Sequence, residues 1–207
     1  MEGRHYFTRN QDLPENRQEH IFLFETFRFR FVTDNGVFSK TGVDEGTRIL
    51  LETLQYEALN GNVLDLGCGY GPVAIVLKKL FSTVVMTGAD INPRAVELAR
   101  KNAARNDVEV TFRISDAFSD IPETVDIIVT NPPIRAGKAV IYNMFTQAKM
   151  HLADKGALYV VIRKKQGAES ALRFLRELFG NGTCINRKRG YWVLKCTRDI
   201  DDSVCQC

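Results

Sequence analysis

Val63-Leu64-Asp65-Leu66-Gly67-Cys68-Gly69-Tyr70-Gly71-Pro72 is the stretch on which the fold turns. Four residues of a short apolar strand run into three alternate glycines, and a helix opens at Pro72, a residue suited to a first helical position. The glycines let the backbone turn sharply and approach a ligand, with N–H groups of the helix start facing it. Dinucleotide sites use similar turns. Two details point away from a dinucleotide. The spacing is G-x-G-x-G rather than G-x-G-x-x-G, and an acid, Asp65, stands just ahead of the first glycine. A carboxylate there repels a pyrophosphate and attracts an ammonium group, such as the one at the methionyl end of S-adenosylmethionine (SAM).

From this turn onward, strand and helix patterns alternate. Strands are expected at 63–66, 84–89, 110–114, 125–130, 157–162, 183–188 and 191–197. Helices are expected at 72–81, 93–106, 139–151 and 168–179. The run 125–130 is continuously apolar but for Asp126, as for a strand buried on both faces. The turn at Gly190 is short enough to make the last two strands antiparallel. The fold class is therefore α/β: a doubly wound, mostly parallel seven-stranded sheet with helices on both faces and one antiparallel strand near its end.

Ahead of the turn, Phe27, Phe29 and Phe31 alternate with Arg28 and Arg30, which puts rings on one face of a strand and arginines on the other. With the apolar run Ile21 to Phe24 this predicts an N-terminal β-hairpin turning near Glu25 and Thr26. Its arginines are either a solvated face or phosphate contacts. A helix is expected from Thr47, as its cap, to about Leu59, with Ile49, Leu50, Leu54 and Ala58 on its apolar stripe. The expected division is a tail and hairpin over 1–40 and a single catalytic-type domain over 41–207.

Composition sets the class. Of 207 residues, 44% are hydrophobic, enough for a full core, and 26% are charged, as in soluble globular proteins. The net charge of +3 permits a polyanionic partner without demanding one. The first ten residues lack the apolar core of a secretory signal, so the five cysteines read as reduced thiols and the location as cytoplasmic. No apolar run is long enough for a bilayer, so no membrane partner is expected. No C-x-x-C pair suggests a metal, and Cys205 and Cys207 form only a weak C-x-C signal in a polar tail.

Three further motifs follow the strands. Asp90, with Ile91 beside it, ends the second strand about 20 residues past the glycines, where an acid accepts from two ribose hydroxyls. Asn92-Pro93 after it also reads as a helix cap followed by a first-turn proline. Ser115-Asp116-Ala117 follows the third strand and offers an acid to an adenine amino group, or is an ordinary loop. Thr130-Asn131-Pro132-Pro133-Ile134 follows the fourth. Its prolines fix φ and remove two donors, leaving carbonyls without competing N–H groups, and Asn131 adds a side-chain oxygen. Such an acceptor cluster suits an –NH₂ group.

D-L-G-C-G-Y-G (65–71), D-I-N-P-R-A (90–95) and T-N-P-P (130–133) resemble the class I methyltransferases that modify amino nitrogens. G-V-F-S-K (36–40), V-D-E-G-T (43–47) and N-P-P-I-R-A-G-K (131–138) are similar to the RsmC-type ribosomal RNA guanine-N2 methyltransferases, in a short single-domain form. The resemblance covers about residues 18 to 198. It implies a Rossmann-like methyltransferase sheet, SAM as cofactor, and ribosomal RNA or the small ribosomal subunit as partner. It implies a SAM site at Asp65, Gly67, Cys68, Gly69, Gly71, Asp90, Ile91, Asp116, Ala117 and Asn131, and a catalytic box at Asn131, Pro132, Pro133 and Ile134. The fourth box position, Ile134, departs from the Phe or Tyr of many relatives and has no ring to stack on a base. Phe38 is the candidate to supply one.

Arg135 and Lys138 after the box, and Arg163, Lys164 and Lys165 after the fifth strand, are candidate RNA contacts at the same edge. Arg187-Lys188-Arg189 lies in the last hairpin. His5, His20 and His151 have no partner pattern, and an amino nitrogen that turns cationic on methylation needs no strong base. The rival readings are an amino-nitrogen methyltransferase acting on DNA adenine or protein glutamine, an NAD-dependent dehydrogenase, and a non-catalytic SAM- or RNA-binding module.

Overall fold

The computed structural model describes residues 14–37, 39 and 41–199. Two strands, β1 (Gln18–Phe24) and β2 (Phe27–Thr33), form the expected antiparallel hairpin, turning at Glu25 and Thr26. Helix α1 (Glu45–Leu54) leads to the alternating part. This runs β3 (Asn62–Leu66), α2 (Pro72–Leu80), β4 (Val85–Asp90), α3 (Pro93–Arg105), β5 (Thr111–Ile114) and β6 (Val125–Thr130). It continues with α4 (Lys138–His151), β7 (Leu152–Arg163), α5 (Ala168–Phe179), β8 (Thr183–Lys188) and β9 (Tyr191–Thr197).

The seven-stranded sheet has the order β5-β4-β3-β6-β7-β9-β8. All its pairings are parallel except those of β9, which slots between β7 and β8. Period-two alternation divides the side chains between two cores. Val63 and Val129 face the core shared with α1, α2, α3 and the hairpin, whereas Leu64 and Ile128 face the core under α4 and α5. No helix of the described residues is long and apolar enough to cross a membrane.

The hairpin belongs to the first core through its rings. Phe29 and Phe31 are fully buried and stacked at 6.1 Å, and Phe31 meets Tyr70 edge-on at 5.8 Å. The outer edge of β2 is closed by two asparagines one turn apart on α3 and beyond its end. Asn102 accepts from Val32 N–H at 2.8 Å and donates to its carbonyl at 3.0 Å. Asn106 does the same for Arg30 at 2.9 Å each. A second proton of the Asn102 amide reaches the Tyr70 carbonyl at 2.9 Å, so one buried side chain ties the hairpin, α3 and the glycine turn together.

Three expectations are corrected. The cap of α1 is Asp44, whose carboxylate accepts from Gly46 and Thr47, and not Thr47 itself. That helix stops at Leu54 rather than Leu59, and Glu57 beyond it bonds Tyr159 Oη at 2.7 Å and Lys195 Nζ at 2.6 Å instead. Strand β7 starts five residues early, at Leu152, directly after α4. Its pairing with β6 shifts register between Leu152 and Ala157, and Lys155 within that stretch sits in the left-handed region at φ 63°.

Candidate active site

The chain builds outward from β3 through β4 to β5, then crosses back to lay β6 on the other side of β3. Ligands of open α/β sheets bind at that reversal, outside the carboxyl ends of the strands. The glycine turn leaves β3 and the Asn-Pro-Pro box leaves β6 at this point. Thr130 Oγ1 donates to the Leu66 carbonyl at 2.7 Å, which fastens the two exits side by side. Gly67 and Cys68 N–H both donate to the Ala89 carbonyl, at 2.8 and 2.9 Å, which pins the turn to β4.

The three glycines do different work. All have positive φ, at 77°, 56° and 89°. A side chain on Gly71 would meet Ile75, Phe112 and Ala99 at 3.1–3.2 Å, so this glycine allows α2 to pack. Nothing lies within 4 Å of where a Cβ of Gly67 or Gly69 would stand. These two leave their backbone open to a ligand. Cys68 between them is buried, and burial together with the nearby Asp65 and Asp90 pushes its thiol well up from the ordinary value, which makes it packing rather than a nucleophile.

Asp65 is 1% exposed, and one of its oxygens accepts from Ala74 N–H at 3.0 Å. Burial pushes its pKa up to about 7, the Ala74 bond pulling down and the charge of Asp90 adding to the rise. Asp90 accepts from Gly69 N–H and Asn92 N–H at 2.8 Å each. Burial raises its pKa despite those bonds. Asn92 caps α3, so the strand-end acid and the helix cap coexist. Two neighbouring carboxylates held only by backbone N–H groups, beside an open glycine backbone, fit a ligand that brings a cation and hydroxyl donors. SAM has both. Ile91 is half-buried next to them. Asp116 is exposed, and Ala117 sits in the left-handed region at φ 51°, its carbonyl held by Ser115 Oγ at 2.9 Å.

At the box, Asn131 Nδ2 donates to Thr47 Oγ1 at 3.0 Å and lies 3.3 Å from Asp44 Oδ1. A carboxylate only accepts, so the amide face turned to Asp44 is the –NH₂ and the Oδ1 is turned away as an acceptor. Pro132 is buried. The Pro133 carbonyl is taken: it accepts from Ala136 at 2.8 Å and closes a single 3₁₀ turn, Ile134–Ala136. Among the described residues the Pro132 carbonyl has no such partner. This leaves Asn131 Oδ1 and the Pro132 carbonyl as the candidate acceptor pair of the box. Ile134 is half-buried against the core under α4.

Around the site, Arg135 and Lys138 are exposed, the latter 5.0 Å over the Tyr142 ring. Arg163 lies 5.8 Å over Tyr191, and Lys164 pairs with Glu169 at 3.5 Å. In the last hairpin Arg187 covers Trp192 at 4.3 Å, Lys188 pairs with Glu52 and Arg189 with Glu45. Phe38, His5, Cys205 and Cys207 lie outside the described residues. His20 bonds Thr33, and His151 stacks on Phe118 at 4.4 Å, so neither reaches the site. Among the described residues no His, Cys, Asp and Glu group could hold a metal.

Three residues beside the site went unassigned in the sequence: Asp44 and Thr47, which hold the Asn131 amide, and Tyr70 of the glycine turn. The Tyr70 hydroxyl is buried without a partner among the described residues, and burial, then the charge of Asp44, raises its pKa. The V-D-E-G-T stretch was the available signal for the first two, but nothing local ties it to a residue more than eighty positions on.

The chain matches the methyltransferase small domain model over residues 28–195. A Bacillus subtilis protein, the uncharacterised YbxB, is 40% identical over 196 residues, covering 93% of this chain and 98% of its own. The ribosomal RNA small subunit methyltransferase C of Haemophilus influenzae is 40% identical over 130 residues, but these are 61% of this chain and 39% of that protein. Among solved structures, the T. thermophilus 16S rRNA N2 methyltransferase RsmC, in complex with AdoMet and guanosine, superposes with a TM-score of 0.80 at 27% identity. It covers 90% of this chain and 52% of its own. A ribosomal protein L11 methylase of Lactobacillus delbrueckii, 21% identical at a TM-score of 0.64, shares the fold alone. The glycine turn, the strand-end acids and the Asn-Pro-Pro box thus stand on the sheet that such enzymes use, and the chain belongs to the methyltransferase small domain family.

Proposed function

We propose that this protein is a SAM-dependent methyltransferase acting on the exocyclic N2 of guanine in small-subunit (16S) ribosomal RNA. One observation carries the amino-nitrogen reading: Asp44 and Thr47 hold Asn131 so that its oxygen, beside the Pro132 carbonyl, is presented as an acceptor next to the glycine cradle. The RNA and the guanine rest on the similarity to the ribosomal RNA methyltransferases, whose curated forms are more than twice as long as the shared region.

When bound, SAM supplies an electrophilic methyl group to a nucleophile in line with its carbon–sulfur bond. Asp65 and Asp90 hold the cofactor's cation and ribose, and Gly67 and Gly69 let the backbone come close. Asn131 Oδ1 and the Pro132 carbonyl accept from the two amine hydrogens, which turns the nitrogen lone pair away from the ring system. As the nitrogen becomes positive the same two acceptors bind it more strongly, so they stabilise the transition state more than the ground state. No histidine or other base is needed, because the methylated ammonium of an aromatic amine loses its proton readily. A base inside an RNA helix has to leave the stack to reach this pocket.

The test is methyl transfer from labelled SAM to small ribosomal subunits, free small-subunit rRNA, DNA and bulk protein, with the modified unit identified. N2-methylguanosine from either RNA form is expected. N6-methyladenine from DNA, or methylglutamine, would replace the substrate and keep the mechanism.

A further inference from the structure

At the end of the domain opposite the glycine turn, the hairpin and the helices form an open cleft of about 340 Å³, floored by Phe27 and Phe29 and edged by Arg28, Arg30, Lys79, Arg105, Asn106 and Asp107. Four basic residues and one acidic residue line it. Arg105 also pairs with Glu19, at the hairpin's other strand, and Lys79 donates to the Asn106 carbonyl at 3.3 Å. Arg28 and Arg30 are exposed, on the side of β2 away from its phenylalanines, and form no ion pair among the described residues. The backbone adds a donor. Arg30 and Val32 turn their N–H and C=O away from β1, toward the two asparagines. Arg28 has the same parity in the strand, so its N–H and C=O also point outward. No described residue takes them, and Arg28 lines the cleft one step past the end of the asparagine ladder.

Two unpaired guanidiniums, an ammonium, a third guanidinium and a free N–H make the donor set that a phosphodiester oxygen takes. A solvated arginine face would leave the cations dispersed. Here basic residues of β2, α2 and α3 line one concave site. We infer that this cleft grips a backbone phosphate of the RNA substrate, remote from the reacting base; this rests on the RNA reading above. Helix α3 runs from Asn92, beside Asp90, to Arg105, and its 13 residues span roughly 20 Å. The hairpin runs alongside. An RNA held at both ends therefore lies along the outer face of β1 and β2, where Ile21 and Leu23 stand exposed as the cross-strand partners of Arg30 and Arg28. A contact so far from the chemistry acts on binding and register and leaves the transfer step alone.

The experiment measures 16S rRNA affinity across a salt series, with SAM affinity and methyl transfer, for the wild type, Arg28→Glu, Arg30→Glu and the control Lys155→Glu. Lys155 is exposed near the same end of the sheet but on β7, away from the cleft. Each arginine variant is expected to bind RNA about tenfold more weakly. Each should also lose about one unit from the slope of log affinity against log salt. KM for RNA rises, kcat at saturating RNA and SAM affinity stay as in the wild type, and Lys155→Glu changes little. Unchanged SAM affinity also shows that the variants fold. If both arginine variants match Lys155→Glu while the wild type methylates rRNA, the cleft is a solvated surface and this inference falls alone. If the wild type binds no rRNA even at low salt, the inference falls together with the substrate it rests on.

Discussion

The two loops that meet at the sheet's reversal are built in opposite ways. On the cofactor side, Asp65 and Asp90 are held by backbone N–H groups from their own neighbourhood: Ala74, Gly69 and Asn92. Among the described residues their charge is left without a cation, and their pKa values are raised. On the acceptor side, Asn131 is held by side chains 84 and 87 residues away, Thr47 and Asp44, and its donors are already spent. One loop is an incomplete electrostatic site that a ligand finishes. The other is a finished hydrogen-bond arrangement that exposes one oxygen. Binding and catalysis should therefore separate when each loop is changed in turn.

The largest separation is expected for Asn131→Ala. It removes an acceptor that matters most as charge develops on nitrogen, so kcat should fall on the order of 100- to 1000-fold, the range for one lost transition-state partner. SAM affinity, measured by calorimetry, should change far less. A SAM affinity that falls as steeply as kcat would place Asn131 in cofactor binding and dissolve the contrast. Next comes Asp90→Ala, with the opposite pattern. Loss of hydrogen bonds to a charged acceptor weakens SAM binding by roughly ten- to a hundredfold, while kcat at saturating SAM holds to within a few-fold.

That difference also governs what could be read from the sequence. Asp65, the three glycines and Asp90 lie in motifs whose partners are within ten residues or across one βα turn, so their position at the strand ends is legible from local pattern. The Phe-Arg alternation likewise marked the buried and exposed faces of β2. The hold on Asn131 needs the packing of α1 against the end of β6, and no periodicity reports it. The misassigned cap has the same origin. Thr47 has the residue type of a cap, but Asp44 three positions earlier takes the helix N–H groups, and the Thr47 hydroxyl accepts from Asn131 instead. No pattern in the sequence reports that the Pro133 carbonyl closes a 3₁₀ turn, which ends at Gly137, at φ 95°, where the chain enters α4. No sequence pattern marks Asn102, which is buried and bonded to two separate segments.

Asp44→Ala sharpens the comparison at a smaller scale. It strips the cap of α1, costing about 1 kcal/mol of stability, and frees the Asn131 amide to rotate. A kcat reduced about tenfold is expected, consistent with roughly 1.4 kcal/mol of lost orientation, with the KM for SAM unchanged. Asp44→Asn keeps an oxygen for the cap and for the Asn131 amine, so it should restore most of the rate. If Asp44→Asn were as slow as Asp44→Ala, the carboxylate would act by its charge and not by aiming Asn131.

The smallest effect is a pH dependence that only the cofactor side should show. Asp65 in the free protein titrates near pH 7, against 3.8 for the ordinary group. A raised carboxyl pKa means that the folded state keeps a proton the unfolded chain has lost. The contribution to stability thus declines as pH rises from about 4 to about 7. Binding a cation beside Asp65 requires the ionised form, so below pH 7 binding expels that proton. SAM affinity should then rise with pH up to about 7, by less than tenfold per unit because one proton is involved, and level off above it. In Asp65→Asn the affinity should be weaker and flat across the same range, while the free variant loses the wild type's stability decline. The two curves run in opposite directions in the wild type, tighter binding and a less stable free protein over one pH window. A SAM affinity independent of pH from 5.5 to 7.5 would show that Asp65 is neutral in the complex or that the ammonium rests elsewhere, and the carboxylate would then be only the backbone clamp that its bond to Ala74 makes it.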